Sequence, residues 1–296
     1  MRKQLCLYSV IVFLSILLTD CSKEPYSEDY LREDETEING FHVHWRAYMS
    51  ETQRIIVSDI LNDMVFVEGG IFAMGASQLY DQDARPDEAP VHYVKLTDYY
   101  ICAHELTYDQ IVGLVPQLDT RTSDIRDFNG KYLYYSWEDW NYVLQILKDL
   151  TKIEFSFPTE AQWEYAAKGG IYSKGYLYPG SDDWNKVYVD DINSSDNAIP
   201  NELGLYNMAS HRSEWCADAY AEYTDGPMQE NPLVTNGKEH VVRGGCHVST
   251  GKTTKWTSSS NYYSNINEDY RFCRSTARSY CTKSWDISCR PVINIK

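Results

Sequence analysis

Two adjacent stretches carry the clearest helical pattern in the chain. Residues 137–150 (WEDWNYVLQILKDL) place their apolar side chains on one side of a helix, as expected for a helix that packs on a core. Those side chains are Trp140, Val143, Leu144, Ile146, Leu147 and Leu150. Residues 159–168 (TEAQWEYAAK) begin at Thr159, a natural N-cap, and are followed by two glycines that end a helix. We predict two consecutive helices, with Trp163 and Tyr165 of the second filling core space.

The preceding hundred residues combine further helices with β-rich runs. Residues 50–63 predict a helix that begins with a capping box between Ser50 and Gln53. Residues 64–75 form a β-rich run that a pair of glycines interrupts. The other predicted elements are a strand within 41–48, a strand at 91–101 and a helix at 107–115. From residue 171 onward only short β-like runs occur among Gly, Asn, Asp, Ser and Tyr, so we predict an α+β, loop-rich fold.

The first 20 residues have the features of an export signal. Two basic residues precede an apolar stretch of 14 residues (5–18), which is the length of a signal peptide. No apolar run reaches the roughly 18–20 residues that cross a bilayer. The stretch LTDC (18–21) resembles a bacterial lipobox, although Asp20 replaces the small residue preferred before the cysteine. We expect Cys21 to carry a lipid anchor; the alternative is an ordinary signal peptide cut elsewhere, with Cys21 an incidental thiol.

A strongly acidic segment follows the expected anchor. The sequence SKEPYSEDYLREDETE holds seven carboxylates without apolar periodicity, which predicts a solvated tether. Its lysine-acid cluster also resembles the surface-export signal of Bacteroidetes lipoproteins.

The chain carries a net charge of −16, or −17 without residues 1–20, which argues against a nucleic-acid partner. We divide the chain into a signal peptide (1–20), a lipid-anchored tether (21–40), a strand and helix extension (41–63) and one domain (64–296).

Seven segments within the domain occur in an order typical of one known family. They are MVFVEGGIFAMG (64–75), DEAPVHYVKLTDYYICAHELTYDQ (87–110), SFPTEAQWEYAAKGG (156–170), YPGSDDW (178–184), PNELGLYNM (200–208), SEWCADAY (213–220) and VVRGG (241–245). Together they resemble the formylglycine-generating enzyme domain, also called the sulfatase-modifying-factor domain, from residue 64 to about 290. The resemblance implies a single α+β domain related to C-type lectin-like domains, with much irregular backbone.

The resemblance also implies a copper chemistry for which the expected thiols are missing. Active members bind copper with two cysteines after the RGG turn and oxidise a substrate cysteine with oxygen. Counted from the turn at 243–245, those cysteines fall at Ser249 and Thr254; counted from Ala277-Arg278, the second falls at Tyr270. A thiolate pair suits copper(I), and hydroxyl groups do not replace it. We therefore predict no catalytic residues.

Six cysteines remain in the expected domain. They are Cys102, Cys216, Cys246, Cys273, Cys281 and Cys289. No C-x-x-C pair occurs among them, and their spacing fits no zinc motif. An exported location permits disulfides, but the sequence alone does not choose the pairing. Cys246 and Cys273 are either a relocated copper pair or, in the interpretation we favour, part of a structural disulfide.

A calcium loop is a second implication of the resemblance. Asn207 and Glu214 would supply side-chain oxygens, and Ser210 and Arg212 would offer backbone carbonyls, which are the hard ligands that calcium prefers. Here Arg212 brings a positive charge close to any cation, so the alternative is a loop held by hydrogen bonds of Glu214.

Another branch of the superfamily holds iron with three histidines; we interpret the seven histidines here as ordinary polar residues.

The resemblance implies that the segment between Gly245 and Arg271 lines a ligand-facing cleft. Its aromatic residues could stack on a sugar or contact a protein partner, and the alternative is that they pack the loop onto the core. They are Trp256, Tyr262, Tyr263 and Tyr270.

We therefore expect an exported lipoprotein that uses a catalytically degenerate domain as a binding or assembly module at the cell envelope. Lipoproteins of gliding and type IX secretion machinery provide a precedent within the resemblance. The expected location is the outer membrane or cell surface, with a lipid anchor in the membrane and a protein or glycan partner. One alternative is a sulfatase-activating or other metal-dependent oxidase, which two free thiols in an open cleft would favour. Another is a carbohydrate-binding surface protein, which exposed coplanar aromatic rings would favour.

Overall fold

The computed structural model describes residues 34–118, 135–188, 199–210, 212–245, 270–281 and 287–295. The α-helices in these ranges are α1 (Glu51–Asn62), α2 (Tyr108–Leu114), α3 (Trp137–Thr151) and α4 (Glu160–Ala167). Each begins at a serine or threonine that completes a capping box with the residue three positions later, so the four predicted helices are confirmed. None of the helices in the described ranges has the length and apolar character needed to cross a bilayer.

Thirteen short strands in the same ranges form four sheets. They are β1 (Glu35–Ile38), β2 (Phe41–His44), β3 (Met64–Val67), β4 (Gly70–Met74), β5 (His92–Leu96), β6 (Tyr99–Cys102), β7 (Phe155–Ser156), β8 (Ser213–Ala219), β9 (Gln229–Glu230), β10 (His240–Arg243), β11 (Arg278–Cys281), β12 (Ile287–Ser288) and β13 (Val292–Asn294). The sheet orders are β1-β2, β3-β6-β13-β7, β4-β5-β9 and β11-β10-β8-β12. Pairing is antiparallel except between β5 and β9 and between β8 and β12. The mixed, loop-rich architecture confirms the predicted α+β class.

The largest core lies where α1, α2 and α3 meet strands of three sheets. α3 buries the predicted apolar stripe, with Trp140 and Leu147 inaccessible to solvent, and Ile146 is half-buried at its border. The Trp140 indole Nε1 donates to the Ile287 carbonyl at 2.8 Å, so the polar atom of this buried side chain has a hydrogen-bond partner. Val43 and Val57 enter the same core, which makes the 41–63 extension an integral part of the packed unit.

α4 occupies a different position, because all eight of its residues are buried. Its apolar side chains, including Trp163 and Tyr165, join a second core with residues of β3, β5, β6 and β10, as predicted. Glu160, Gln162 and Glu164 are buried on the same helix. Buried carboxylates need partners, so the position of α4 determines where positive charge must be placed inside the domain.

Two predictions about extended segments are wrong. The predicted strand at 91–101 is two strands, β5 and β6, in different sheets. The alternation of buried positions changes parity at Thr97-Asp98, where the Asp98 carboxylate accepts a hydrogen bond from the Gly69 N–H at 2.7 Å. The predicted tether also ends earlier than residue 40, because β1 pairs with β2 through an Asn39-Gly40 turn whose two residues both have positive φ.

Candidate functional site

A buried charge network connects α4 to the sheet that carries the RGG turn. Arg278 on β11 donates through Nε and Nη2 to the two carboxylate oxygens of Glu160, each at 2.7 Å. Arg243 on β10 donates through Nη2 to Glu164 Oε2 at 2.7 Å and through Nε to Glu160 Oε1 at 3.1 Å. Charges removed from water this completely are tolerated when they are paired and hydrogen-bonded. The network therefore fixes β10 and β11 against α4.

The electrostatics of this region follow from burial and from the partners of each carboxylate. Burial raises the pKa of Glu164, but the charges of Lys168 and Arg243 outweigh it and lower that pKa to about 2. Burial raises the pKa of Asp218 to about 6, although the backbone N–H groups of Val234 and Glu160 donate to its oxygens. Glu164 is thus a permanent anion at neutral pH, matched by fixed cations.

A third arginine ties an exposed loop to the short helical turn at Tyr270–Cys273. Arg274 Nη1 donates to Asp81 Oδ2 at 2.6 Å, and its Nη1 and Nη2 donate to Glu88 at 2.8 and 2.5 Å. Asp81 belongs to a loop whose tip exposes Leu79 and Tyr80 almost completely, at 87% and 92%. The loop is held at its base by ion pairs while its apolar tip faces solvent.

An aromatic surface lies over the buried Cys273. We define it as Tyr178, Trp184, Tyr188 and Tyr270. The Trp184 ring centroid lies 5.5 Å from that of Tyr188 and 6.3 Å from that of Tyr270. Tyr178 is buried, and this burial raises its pKa to about 12. Tyr270 is 40% exposed, so the surface has a buried base and an accessible rim that offers apolar contact and ring stacking.

The described cysteines comprise one disulfide-bonded residue, three buried thiols and one half-buried thiol, Cys281 on β11. Cys273, which is fully buried, is disulfide-bonded. Cys102, Cys216 and Cys289 are buried thiols, and burial raises the pKa of each well above its ordinary value. A thiol of this kind is a poor nucleophile and a poor metal ligand at neutral pH, because both roles need the thiolate.

The loop that the resemblance assigns to calcium lies between Asn207 and Glu214. Glu214 is buried, and Arg290 donates to both of its carboxylate oxygens, at 2.7 Å to Oε1 and 3.0 Å to Oε2. The Trp163 indole donates to Oε2 at 2.7 Å. Ser210 Oγ accepts from the Arg212 backbone N–H and donates to the Arg212 carbonyl, each at 3.1 Å. Asn207 Oδ1 is buried and has no hydrogen-bond partner among the described residues.

A second carboxylate, Glu105, lies beside this loop and was not singled out from the sequence. Ser288 on β12 donates to Glu105 Oε1 and to the Ser213 carbonyl. Burial, with repulsion from Glu214, raises the pKa of Glu105 to about 7, and Arg290 and Arg212 oppose the rise. The ionisation of Glu105 therefore depends on the charges of Glu214, Arg290 and Arg212.

The structure places some predicted site residues and leaves others outside its described ranges. Tyr270 lies on the rim of the aromatic surface, and Cys273 lies beneath it. Asn207, Ser210, Arg212 and Glu214 share one loop-and-strand segment. The predictions for Cys21, Cys246, Ser249, Thr254, Trp256, Tyr262 and Tyr263 fall outside the described residues.

Sequence reasoning missed Trp184 and Tyr188 as neighbours of Tyr270. Trp184 closes the YPGSDDW segment, which marked the family resemblance without indicating a surface. Arg274 was also missed, because its partners Asp81 and Glu88 are nearly two hundred positions away in the chain.

Comparisons with known proteins agree on one family. Residues 56–284 match the Sulfatase-modifying factor enzyme 1-like domain. The serine/threonine-protein kinase Pkn1 of Chlamydia trachomatis is 28% identical over 231 residues, which is 67% of this chain and 35% of that protein. The formylglycine-generating enzyme of Mus musculus is 27% identical over 261 residues, covering 64% of this chain and 68% of that enzyme. The chain spans only about a third of the length of the kinase relatives that it matches.

A solved structure gives the same answer for the fold. PvdO from Pseudomonas aeruginosa superposes with a TM-score of 0.57 at 18% identity, covering 78% of this chain and 94% of that one. At this identity the likeness concerns the arrangement of the backbone, not the activity.

Proposed function

Because the chain belongs to the sulfatase-modifying factor enzyme 1-like domain family, we propose that it uses this domain as a binding or assembly module and carries out no copper oxidation. In this proposal the protein is exported and attached through Cys21 to the outer membrane or cell surface. The domain then holds a protein or glycan partner at the aromatic surface.

The observation that carries the proposal is the chemistry around Tyr270. One of the two ways of counting places a copper-binding cysteine of the family at this position, which here holds a phenol. Cys273, three positions further along the chain, is disulfide-bonded and fully buried. A disulfide sulfur is not a thiolate, so the residues at this position do not fit a copper(I) ion.

The remaining described thiols give no substitute pair. Cys102, Cys216 and Cys289 lie in the cores with raised pKa values, away from the aromatic surface. Cys281, the fourth thiol, is half-buried at the border of the first core. A copper site that reacts with oxygen and a peptide needs a thiol pair with an approach from solvent. The three buried thiols lack that approach, and the half-buried Cys281 alone is not a pair. Arg274, next to the aromatic surface, is likewise paired with the carboxylates of Asp81 and Glu88.

The aromatic surface supports a binding role. Its base is fixed by Tyr178 packing and by the Arg274 ion pairs, so its rings are ordered before a partner arrives. Pre-organised aromatic side chains bind at a low entropic cost and dominate many interfaces. The disulfide at Cys273 supports export, because disulfides persist in oxidising compartments.

A sulfatase-activating oxidase remains the second candidate, favoured by the match to formylglycine-generating enzymes. Copper binding separates the two functions. The purified chain is titrated with copper(I) against a chromogenic chelator, and its thiols are counted by alkylation and mass spectrometry. We expect no stoichiometric, thiol-dependent copper uptake. Uptake of one copper ion per chain that alkylation or Cys273→Ser abolishes would establish the oxidase instead.

A carbohydrate-binding role is a third candidate, and it would use the same aromatic surface. Glycans would need exposed ring faces at Trp184 and Tyr270. Substituting either residue by alanine would then remove binding on a glycan array, whereas Tyr48→Ala, a change at an exposed tyrosine of the N-terminal region, would not.

A further inference from the structure

We infer that the loop from Asn207 to Glu214 is held by an internal arginine-carboxylate network and takes no calcium ion. This inference is independent of the proposed binding role. The family resemblance implies a calcium ion at this loop, and its oxygen donors can be tested one by one against the contacts of the structure.

The principal donor is already occupied. Arg290 approaches Glu214 in a fork, with Nη2 at 2.7 Å from Oε1 and Nε at 3.0 Å from Oε2. The Trp163 indole takes a further position on Oε2 at 2.7 Å. A carboxylate offers about four lone-pair positions, and the guanidinium and indole use those that a cation would need.

The same guanidinium performs the structural work that a bound cation would perform. Arg290 also donates to the backbone carbonyls of Cys102, Ala103 and Tyr206. It therefore joins the end of β6, the segment before the loop and the carboxylate of β8 around one positive charge. A cation that gathers carbonyl and carboxylate oxygens does the same.

The other proposed donors are also engaged or too few. The Arg212 carbonyl, one of the implied donors, accepts from the Ser210 hydroxyl, and Glu105 accepts from Ser288. The buried side-chain oxygen without a partner in the described part of this loop is Asn207 Oδ1. Calcium takes about six to eight oxygen ligands, and one neutral amide oxygen, even with the Ser210 carbonyl added, falls far short of that number.

The formal charge of the side chains around the loop also disfavours calcium binding. Glu105 and Glu214 face two guanidinium groups, those of Arg290 and Arg212, so the formal charge of the cluster is close to neutral before any ion enters. Added calcium would be repelled by both arginines at short range, where effective screening is weak. In the described ranges no three His, Cys, Asp or Glu side chains are grouped to hold a metal.

Calcium uptake and thermal unfolding of the purified full chain test this inference. Uptake is measured by equilibrium dialysis, and the melting temperature is compared in a calcium chelator and in excess calcium. The acidic chain will attract some calcium non-specifically, so Asn207→Ala serves as the matched control. We expect the melting temperature to change by less than about 1 °C and any uptake to be equal in the two proteins.

Terbium provides a second readout at the loop itself. Trp163 lies in hydrogen-bond contact with Glu214, so a terbium ion held by that carboxylate would emit by energy transfer from the indole. We expect no calcium-displaceable emission. A single calcium per chain that Asn207→Ala removes, together with a rise in melting temperature of about 5 °C or more in excess calcium, would overturn the inference.

Discussion

The arginine-carboxylate network beneath the RGG turn makes a quantitative prediction about stability. Replacing Arg278 by methionine retains much of the apolar stem and removes the guanidinium. Glu160 then loses two charge-assisted hydrogen bonds of 2.7 Å, and the carbonyls of Asp87 and Ala221 lose their donor. Breaking one side of a buried ion pair costs about 3–5 kcal/mol. Arg243 still contacts Glu160 at 3.0 Å, so we expect the lower part of that range.

Urea unfolding followed by tryptophan fluorescence measures this loss, because Trp163 and Trp215 are buried reporters. A loss of about 3 kcal/mol corresponds to a melting temperature lower by roughly 6–12 °C. Lys95→Met is the matched control, since the Lys95–Glu230 pair is largely exposed and such pairs contribute about 1 kcal/mol or less.

A double-mutant cycle separates the ion pair from general damage at the site. Glu160→Gln alone leaves Arg278 and Arg243 without their shared carboxylate, so it should also be strongly destabilising. The double variant should be more stable than the sum of the single losses predicts, by about 1–3 kcal/mol. Strictly additive losses, or a loss below about 1 kcal/mol for Arg278→Met, would refute the reasoning.

Three further predictions follow from particular residues. The pKa of Glu164 is lowered from 4.5 to about 2, so the stabilisation that its carboxylate provides is complete above pH 4.5 and is lost as the pH falls towards 2. The difference in unfolding free energy between the wild type and Glu164→Gln, measured by urea titration, should therefore shrink on acidification. A difference that stays constant with pH would contradict this. A Cβ at Gly245 would collide with the Ser213 backbone and hydroxyl, so Gly245→Ala should cost about 1–3 kcal/mol, while Gly226→Ala, which meets open space, should be close to neutral in the same assay. Alkylation of the native chain with iodoacetamide should spare the buried thiols, and alkylation in denaturant should modify them; modification in the native state would show that they are accessible. These thiols are Cys102, Cys216 and Cys289.

Local signals in the sequence were sufficient for the helices. α3 was predicted because its apolar side chains recur at helical spacing, and α4 because Thr159 and two following glycines mark its ends. The single strand predicted over 91–101 was wrong, because β-propensity is high throughout this stretch. That propensity does not show that the buried positions switch from even to odd residue numbers at Thr97-Asp98. The Asn39-Gly40 dipeptide, a strong hairpin signal, lies within the stretch that we interpreted as a tether from its carboxylates and its lack of apolar periodicity.

The site was less predictable, because its contacts join distant parts of the chain. Nothing in the local sequence indicates that Arg278 pairs with Glu160 across 118 positions, or that Arg290 pairs with Glu214 across 76. Tyr270 was assigned to the ligand-facing cleft by the resemblance, but its neighbour Trp184 comes from another loop. Pairings of this kind are set by tertiary packing, which spacing along one sequence does not encode.

The absence of oxidase activity is the central claim, and it is tested most directly on a substrate. The purified chain is incubated with copper(I), oxygen and a cysteine-containing sulfatase peptide, and mass spectrometry follows conversion of the peptide cysteine to formylglycine. The account predicts that the cysteine remains unconverted, because Tyr270 and the disulfide-bonded Cys273 provide no thiolate pair. Multiple turnovers of peptide to formylglycine, lost on removal of copper, would contradict it.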